Sequence, residues 1–155
     1  MDTRNSALCV QLEGQGLVTV DVAGDGNCFF RAASYAIHGN DTSYQILRQQ
    51  VASHIEQSGV MLGGWTNVSP DDGKNFKQHI QLLRTDREAV GEDAAKALSE
   101  LFHRDVIVYI ANALPLVYSP NGGRRSGDGP IRLAFFEPGH YRAVTSPPSS
   151  DLLYP

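Results

Sequence analysis

The stretch GDGNCFFRAASYAIHG, Gly24 to Gly39, constrains the local architecture of this chain more tightly than any other. It follows GLVTVDV, Gly16 to Val22. There Val18, Val20 and Val22 fall on one face and Thr19 and Asp21 on the other, the period-two pattern of a short strand. Ala23-Gly24-Asp25-Gly26 reads as a turn. From Cys28 the pattern predicts a helix to about His38, stopped at Gly39. A strand, a glycine-rich turn and a helix in immediate succession place Cys28 at a helix N-terminus. Unpaired N–H groups and partial positive charge at such an end favour a thiolate, and the same N–H groups can hold an oxyanion.

Length and composition bound what surrounds this unit. A chain of 155 residues, 41% hydrophobic and 19% charged, suits one domain with one core. It contains no run of about 18 apolar residues, so no membrane span is expected. Met1 to Gly14 lacks a basic region followed by an apolar stretch and does not read as a signal peptide; residues 1–15 are expected to form an N-terminal lead. Cys9 and Cys28 are too few for a disulfide framework, which suits a reducing, cytoplasmic setting, or a host cytosol for a viral or bacterial effector. The net charge of −4 argues against nucleic acid as partner and suits a basic protein substrate. Cys28 and His38 lack further ligands at metal spacing, and Gly24-x-Gly26 lacks the third glycine and the Lys-Ser/Thr of a nucleotide site. No metal and no cofactor are expected.

Beyond Gly39, Asn40 to Ser43 offers N-caps for a helix over about 43–57, with Tyr44, Leu47, Val51 and Ile55 on one face. A third helix from Asp71 would carry Phe76, Ile80 and Leu83, and a fourth, about 87–103, would carry Ala94, Leu98, Leu101 and Phe102. Strands are expected at Val106–Ala111, Leu116–Tyr118, Ile131–Phe136 and Tyr141–Val144, the last two joined at Pro138-Gly139. The tail from Ser146 is rich in Pro and Ser and reads as flexible. Strand, helices, then strands make an α+β domain over 16–145, with a helical lobe packed on a small, mainly antiparallel sheet.

A thiol nucleophile needs a base, and five histidines are available. His38, His54, His79 and His103 lie inside helices or at their ends, where a histidine has ordinary surface roles. His140 follows Pro138-Gly139 and begins a strand, which would hold its ring rigidly at a sheet edge. Alone, it reads as an incidental turn residue.

Asp25-Gly26-Asn27-Cys28-Phe29-Phe30-Arg31 followed far downstream by Gly139-His140-Tyr141 resembles the ovarian tumour (OTU) family of cysteine proteases, most of which are deubiquitinases. The likeness runs from Val18 to Val144 and includes Glu92–Ile110 as the helix-then-strand before the histidine hairpin. It implies a papain-like OTU fold, Cys28 as nucleophile and His140 as base and then acid. It implies an oxyanion hole from the Cys28 N–H and the Asp25–Asn27 turn, with Asp25 shaping that loop and Gly26 allowing a close or positive-φ backbone. Tyr141 would flank a channel for a Gly-Gly tail, and Trp65 would lie in a variable arm that meets ubiquitin. Partners would be ubiquitin, polyubiquitin chains or ubiquitinated proteins, bound by a monomer; Glu137 or Asp128 could receive ubiquitin's basic tail.

The chain departs from the family pattern at one place. Two residues after the histidine, on the same side of the strand, many members carry Asp or Asn to orient the imidazole. Here that position is Arg142, which accepts no hydrogen bond. The site is then a dyad, or its third member is Thr19, Asp21 or Glu137; Asp21 otherwise reads as a solvated strand residue. A ubiquitin-binding module with weakened catalysis and a protease that processes its own polyprotein are the other readings.

Overall fold

The computed structural model describes residues 3–58, 80–86, 92–122, 125–136 and 139–145. Its elements are α1 (Thr3–Glu13), β1 (Val18–Val20), α2 (Cys28–His38), α3 (Tyr44–Ser58), α4 (Glu92–Phe102), β2 (Val106–Tyr109), β3 (Leu116–Tyr118), β4 (Ile131–Phe136) and β5 (His140–Thr145), with a short helical stretch at 80–84. The domain is α+β, as anticipated. Trp65, Glu137, Pro138, the beginning of the third expected helix and the tail from Ser146 lie outside the described residues.

The five strands lie in the order β1-β5-β4-β2-β3. Three pairings are antiparallel, and β2 runs parallel to β4. β4 is central and is covered on both faces. Ile131 and Leu133 join the main core with α2, α3 and α4, whereas Ala134 and Phe136 point the other way. This alternation explains why the IRLAFF segment is apolar nearly throughout.

The second face is covered by α1, which the sequence reading treated as a lead. Leu8 and Leu12, one helical turn apart and both 0% exposed, close a small core with Leu17, Tyr109, Ala134, Phe136 and Val144. The connection to β1 is tight: Gly16 takes a left-handed φ of 74°, and the Leu17 N–H donates to the Leu12 carbonyl at 3.0 Å. The helical layer therefore lies on both sides of the sheet rather than on one.

On the main face α2 packs against β5 and β4, and α3 packs against α2 and α4. α2 buries Phe29, Phe30, Ala32, Ala33 and Ser34 together with Cys28. Gly39 ends it in the left-handed region, φ 82°, with its N–H donating to the Tyr35 carbonyl at 2.8 Å. The buried stripe of α3 runs through Leu47, Val51 and Ile55 as the spacing predicts, but it also contains Arg48, 1% exposed.

Candidate active site

The turn ahead of α2 is held by its own polar groups. Asp25 Oδ1 accepts from the Asn27 N–H at 3.0 Å, and the Asp25 carbonyl accepts from the Cys28 N–H at 3.1 Å. Arg31, one turn into the helix, clamps the same carboxylate through Nε at 3.2 Å and its terminal nitrogen at 3.0 Å. These bonds tie the Asp25 carboxylate to both the turn and α2. The oxyanion assignment needs revision in one respect: the Cys28 and Asn27 N–H groups are already engaged with Asp25. Gly26 is also not among the glycines with positive φ; its part is its carbonyl, which accepts from Arg48 at 3.1 Å.

That arginine was not foreseen as part of the site. From inside α3 it donates to the Gly26 carbonyl, to Asn27 Oδ1 at 3.2 Å, and to the Leu82 and Leu83 carbonyls at 3.2 and 2.7 Å. Its guanidinium also stacks 4.7 Å from the Phe30 ring centroid. Asn27 Nδ2 in turn donates to Asp86 at 2.9 Å. Asn27 is 1% exposed, so its side chain braces the loop rather than meeting a ligand. The signal available in the sequence was position: Arg48 sits four residues after Tyr44 and three before Val51, on the apolar face of its helix.

The Cys28 sulfur lies against β5. The Tyr141 N–H donates to Sγ at 3.5 Å, and Sγ lies 3.9 Å from the Gly139 carbonyl oxygen. The peptides on either side of His140 thus hold the thiol. Cys28, Gly139 and His140 line one open groove of about 410 Å³ with Asp21, Val22, Gly24 and Asp25. Burial pushes the Cys28 thiol above its ordinary pKa. The backbone N–H groups of Tyr141, Phe29 and Cys28 pull the other way, and the nearby Asp25 charge adds to the rise. The expectation that the helix end alone would favour a thiolate is therefore corrected, because desolvation outweighs the helix N–H groups.

His140 Nε2 lies 2.7 Å from Asp21 Oδ1. The hydrogen bond from His140 holds the Asp21 carboxyl below the usual range, against some desolvation and with help from Arg142 and the Val22 N–H. An ionised carboxylate only accepts, so Nε2 is the donor in this contact. Asp21 is thus not a merely solvated strand residue. Thr19, by contrast, lies in the β1–β5 ladder opposite Val144 and does not line the groove; Glu137 lies outside the described residues. Arg142 Nε lies 3.4 Å from the same Asp21 oxygen, and its guanidinium lies 4.3 Å from the Phe136 ring centroid.

Tyr141 does not flank this groove with its side chain. Successive residues of a strand point to opposite faces, and its ring turns away from His140 to meet Phe29 and Phe135 edge-on, each with centroids 5.1 Å apart. It lines a separate apolar cavity of about 200 Å³ with Ala95, Val108, Leu116 and others. Asp128 lies outside the groove, bonded to Ser126 at 2.8 Å. Among the described residues no group of three or more His, Cys, Asp or Glu side chains is placed to hold a metal ion, and no helix is long and apolar enough to cross a membrane.

An α+β domain with a thiol at a helix start, set against a strand that begins with histidine, has the layout of the papain-like class. Known proteins narrow this further. The ovarian tumour domain-containing deubiquitinating enzyme 6 of Arabidopsis thaliana is 25% identical over 123 residues, 79% of this chain and 23% of that protein. Among solved structures, the OTU domain of OTUD1 superposes with a TM-score of 0.75 at 19% identity, covering 92% of this chain and 94% of that one. An OTU domain solved in complex with ubiquitin gives a TM-score of 0.61 at 19% identity, over 83% of this chain and 69% of the other. No family model matches. In sequence it is similar to OTU-domain deubiquitinating enzymes, and its fold is that of the OTU domain. It spans about a quarter of the length of the curated relatives it matches, 23% of each of the first two.

Proposed function

We propose that this domain is a thiol-dependent deubiquitinase, hydrolysing the amide bond that follows the C-terminal glycine of ubiquitin. The observation that carries the reading is the convergence on one open groove of the Cys28 thiol and a His140 ring whose Nε2 is taken up by Asp21 at 2.7 Å. A relative named as a deubiquitinating enzyme and a ubiquitin-bound OTU structure of the same fold supply the substrate class.

In this reading the Cys28 thiol passes its proton to His140 Nδ1 as the sulfur attacks the glycine carbonyl. Asp21 stabilises the imidazolium that forms. The oxyanion competes with Asp25 for the Asn27 and Cys28 N–H groups, so the loop exchanges internal bonds for bonds to the transition state. Collapse of the tetrahedral intermediate breaks the C–N bond, and the amine leaves with the proton from His140. A water molecule then hydrolyses the thioester, giving its proton to the imidazole and releasing ubiquitin and the free thiol.

The competing idea of a catalytically weakened ubiquitin binder rested on Arg142 standing where an acceptor was expected. Asp21, just past the end of β1, lies within hydrogen-bond reach of His140 and supports the catalytic reading instead. The test is release of fluorophore from a ubiquitin C-terminal amide. Wild type turns over, Cys28→Ala is silent, and His140→Ala falls by several orders of magnitude. Cleavage by Cys28→Ala at the wild-type rate would overturn the assignment, and a panel of the eight diubiquitin linkages then defines linkage preference.

A further inference from the structure

The residue that breaks the family pattern, Arg142, has a structural place of its own. The β1–β5 ladder pairs Thr19 with Val144 and Val20 with Ala143. One further step in that register sets Asp21 opposite Arg142, with His140 on the same side of β5. The carboxylate needs support there. It lies just past the last paired residue of β1, and its side chain is 65% exposed. Its bonds are to the adjacent Val22 N–H at 2.9 Å and to His140.

Arg142 supplies a fixed cation beside the imidazole. Its guanidinium is laid over the Phe136 ring at 4.3 Å, and its side chain is 31% exposed. Nε is buried, lies 3.4 Å from Asp21 Oδ1, and has no hydrogen-bond partner among the described residues. The contact is therefore an ion pair without hydrogen-bond geometry, which leaves Oδ1 directed at the imidazole.

We propose that Arg142 is a positioning residue: it pins Asp21 between a fixed cation and the imidazole, so that Asp21 keeps the His140 proton on Nε2 and leaves Nδ1 free to accept the proton of the Cys28 thiol. The inference rests on the proposed Cys28–His140 chemistry. The role of the position has changed sides. Where an acceptor at 142 would orient the ring directly, the arginine here holds an acceptor that stands just past the end of β1. Because a guanidinium stays charged, Asp21 keeps a cationic partner whether the imidazole is neutral or protonated.

The test compares Arg142→Met, which keeps a side chain over Phe136 but loses the charge, with Arg142→Lys, Asp21→Ala and the double variant Asp21→Ala/Arg142→Met. With the ubiquitin amide substrate, Arg142→Met should lower kcat by roughly three- to tenfold with KM little changed. That lies between the small worth of an exposed ion pair and the hundredfold loss from a misplaced reacting group. Arg142→Lys should recover much of the loss, and the double variant should be no slower than Asp21→Ala alone. Wild-type kcat in Arg142→Met, or an undiminished further loss in the Asp21→Ala background, would overturn the proposal. Nitrogen-15 NMR of the His140 ring gives a readout that needs no substrate. A single Nε2–H tautomer should become a mixture in Arg142→Met, and an unchanged spectrum counts against the clamp. If wild type cleaves no ubiquitin amide, the deubiquitinase reading fails while the tautomer measurement still decides the role of Arg142.

Discussion

Arg48→Ala removes a guanidinium that satisfies four acceptors at once. Two of its hydrogen bonds, to Asn27 Oδ1 and the Leu83 carbonyl, are buried. The other two, to the Leu82 and Gly26 carbonyls, are partly buried. An acceptor left unsatisfied in the interior costs about 1–3 kcal/mol, and one that water can reach costs much less. Counting the buried pair in full and the others at a fraction gives a loss of about 3–5 kcal/mol. For a domain of this size, each kcal/mol lowers Tm by roughly 2–4 °C, so Tm should fall by roughly 6–20 °C. Arg48→Met should be nearly as damaging, because three of the four acceptors are backbone carbonyls that remain in place whatever side chain is introduced. Arg48→Lys should lie between, since an ammonium has three donors but cannot reproduce the planar fork. Scanning calorimetry of the three variants, with near-ultraviolet circular dichroism to confirm the native fold, makes the measurement. A drop of under 3 °C in Arg48→Ala would show that water replaces the guanidinium at little cost and would refute the view that it holds Gly26 and Asn27 in place.

Four further outcomes follow from the same geometry. Asp21→Asn should leave the fold intact and lower kcat by roughly a hundredfold or more, because an amide no longer enforces the Nε2–H tautomer; steady-state kinetics, with near-ultraviolet circular dichroism to confirm the native fold, checks this. The Asp21 carboxyl titrates below its ordinary value of 3.8 in the folded chain. Its contribution to stability is therefore fully present above that value and is lost as pH falls through the lower folded value. Urea midpoints of wild type and Asp21→Asn should accordingly differ at neutral pH and converge on acidification. In His140→Ala the buried Cys28 thiol should react with iodoacetamide more slowly than free cysteine at neutral pH, with the rate still climbing past pH 9.0, the ordinary thiol value. Leu8→Ala, at a fully buried position of α1, should cost about 2–5 kcal/mol by calorimetry; an unchanged Tm would mean that α1 is not part of the folded unit.

The residues recoverable from sequence were those whose placement is local. The turn at Asp25 to Asn27 is stabilised by groups within a few residues of one another, and the helix after it announces itself by Phe29, Phe30, Ala32 and Ala33 at helical spacing. Cys28 could therefore be placed at a helix start from the sequence alone. Asp21 was harder for a definite reason. The alternation that put Val18, Val20 and Val22 on the core face put Asp21 on the other, and an acidic residue on an outward face ordinarily faces water. What makes it a partner of His140, 119 residues away, is the antiparallel register of β1 on β5, and no local pattern encodes register between distant strands. α1 was missed because its buried stripe is only two leucines wide, and the apolar surface it covers belongs to β4 and β5, where alternate residues face either side of the sheet. Arg48 was missed because a charged residue in an amphipathic helix is usually assigned to the polar face, although its spacing from Tyr44 and Val51 put it on the other.

The rise in the Cys28 pKa bears on how such a site would work. A helix N-terminus and backbone N–H groups pull a thiol toward ionisation, but here Cys28 is only 7% exposed and lies near the Asp25 charge. With burial dominant, Cys28 favours the thiol form, and in the proposed reaction its proton passes to His140 as the sulfur attacks. A preformed thiolate would tolerate a loosely held histidine, whereas a thiol awaiting its base does not, because proton transfer depends steeply on the alignment of the ring nitrogen. The demand for orientation thus falls on the residues that fix the imidazole. That is why the Asp21 contact, and through it Arg142, should appear in kcat rather than KM, and why Cys28 alone, however well placed at the start of α2, does not make the site.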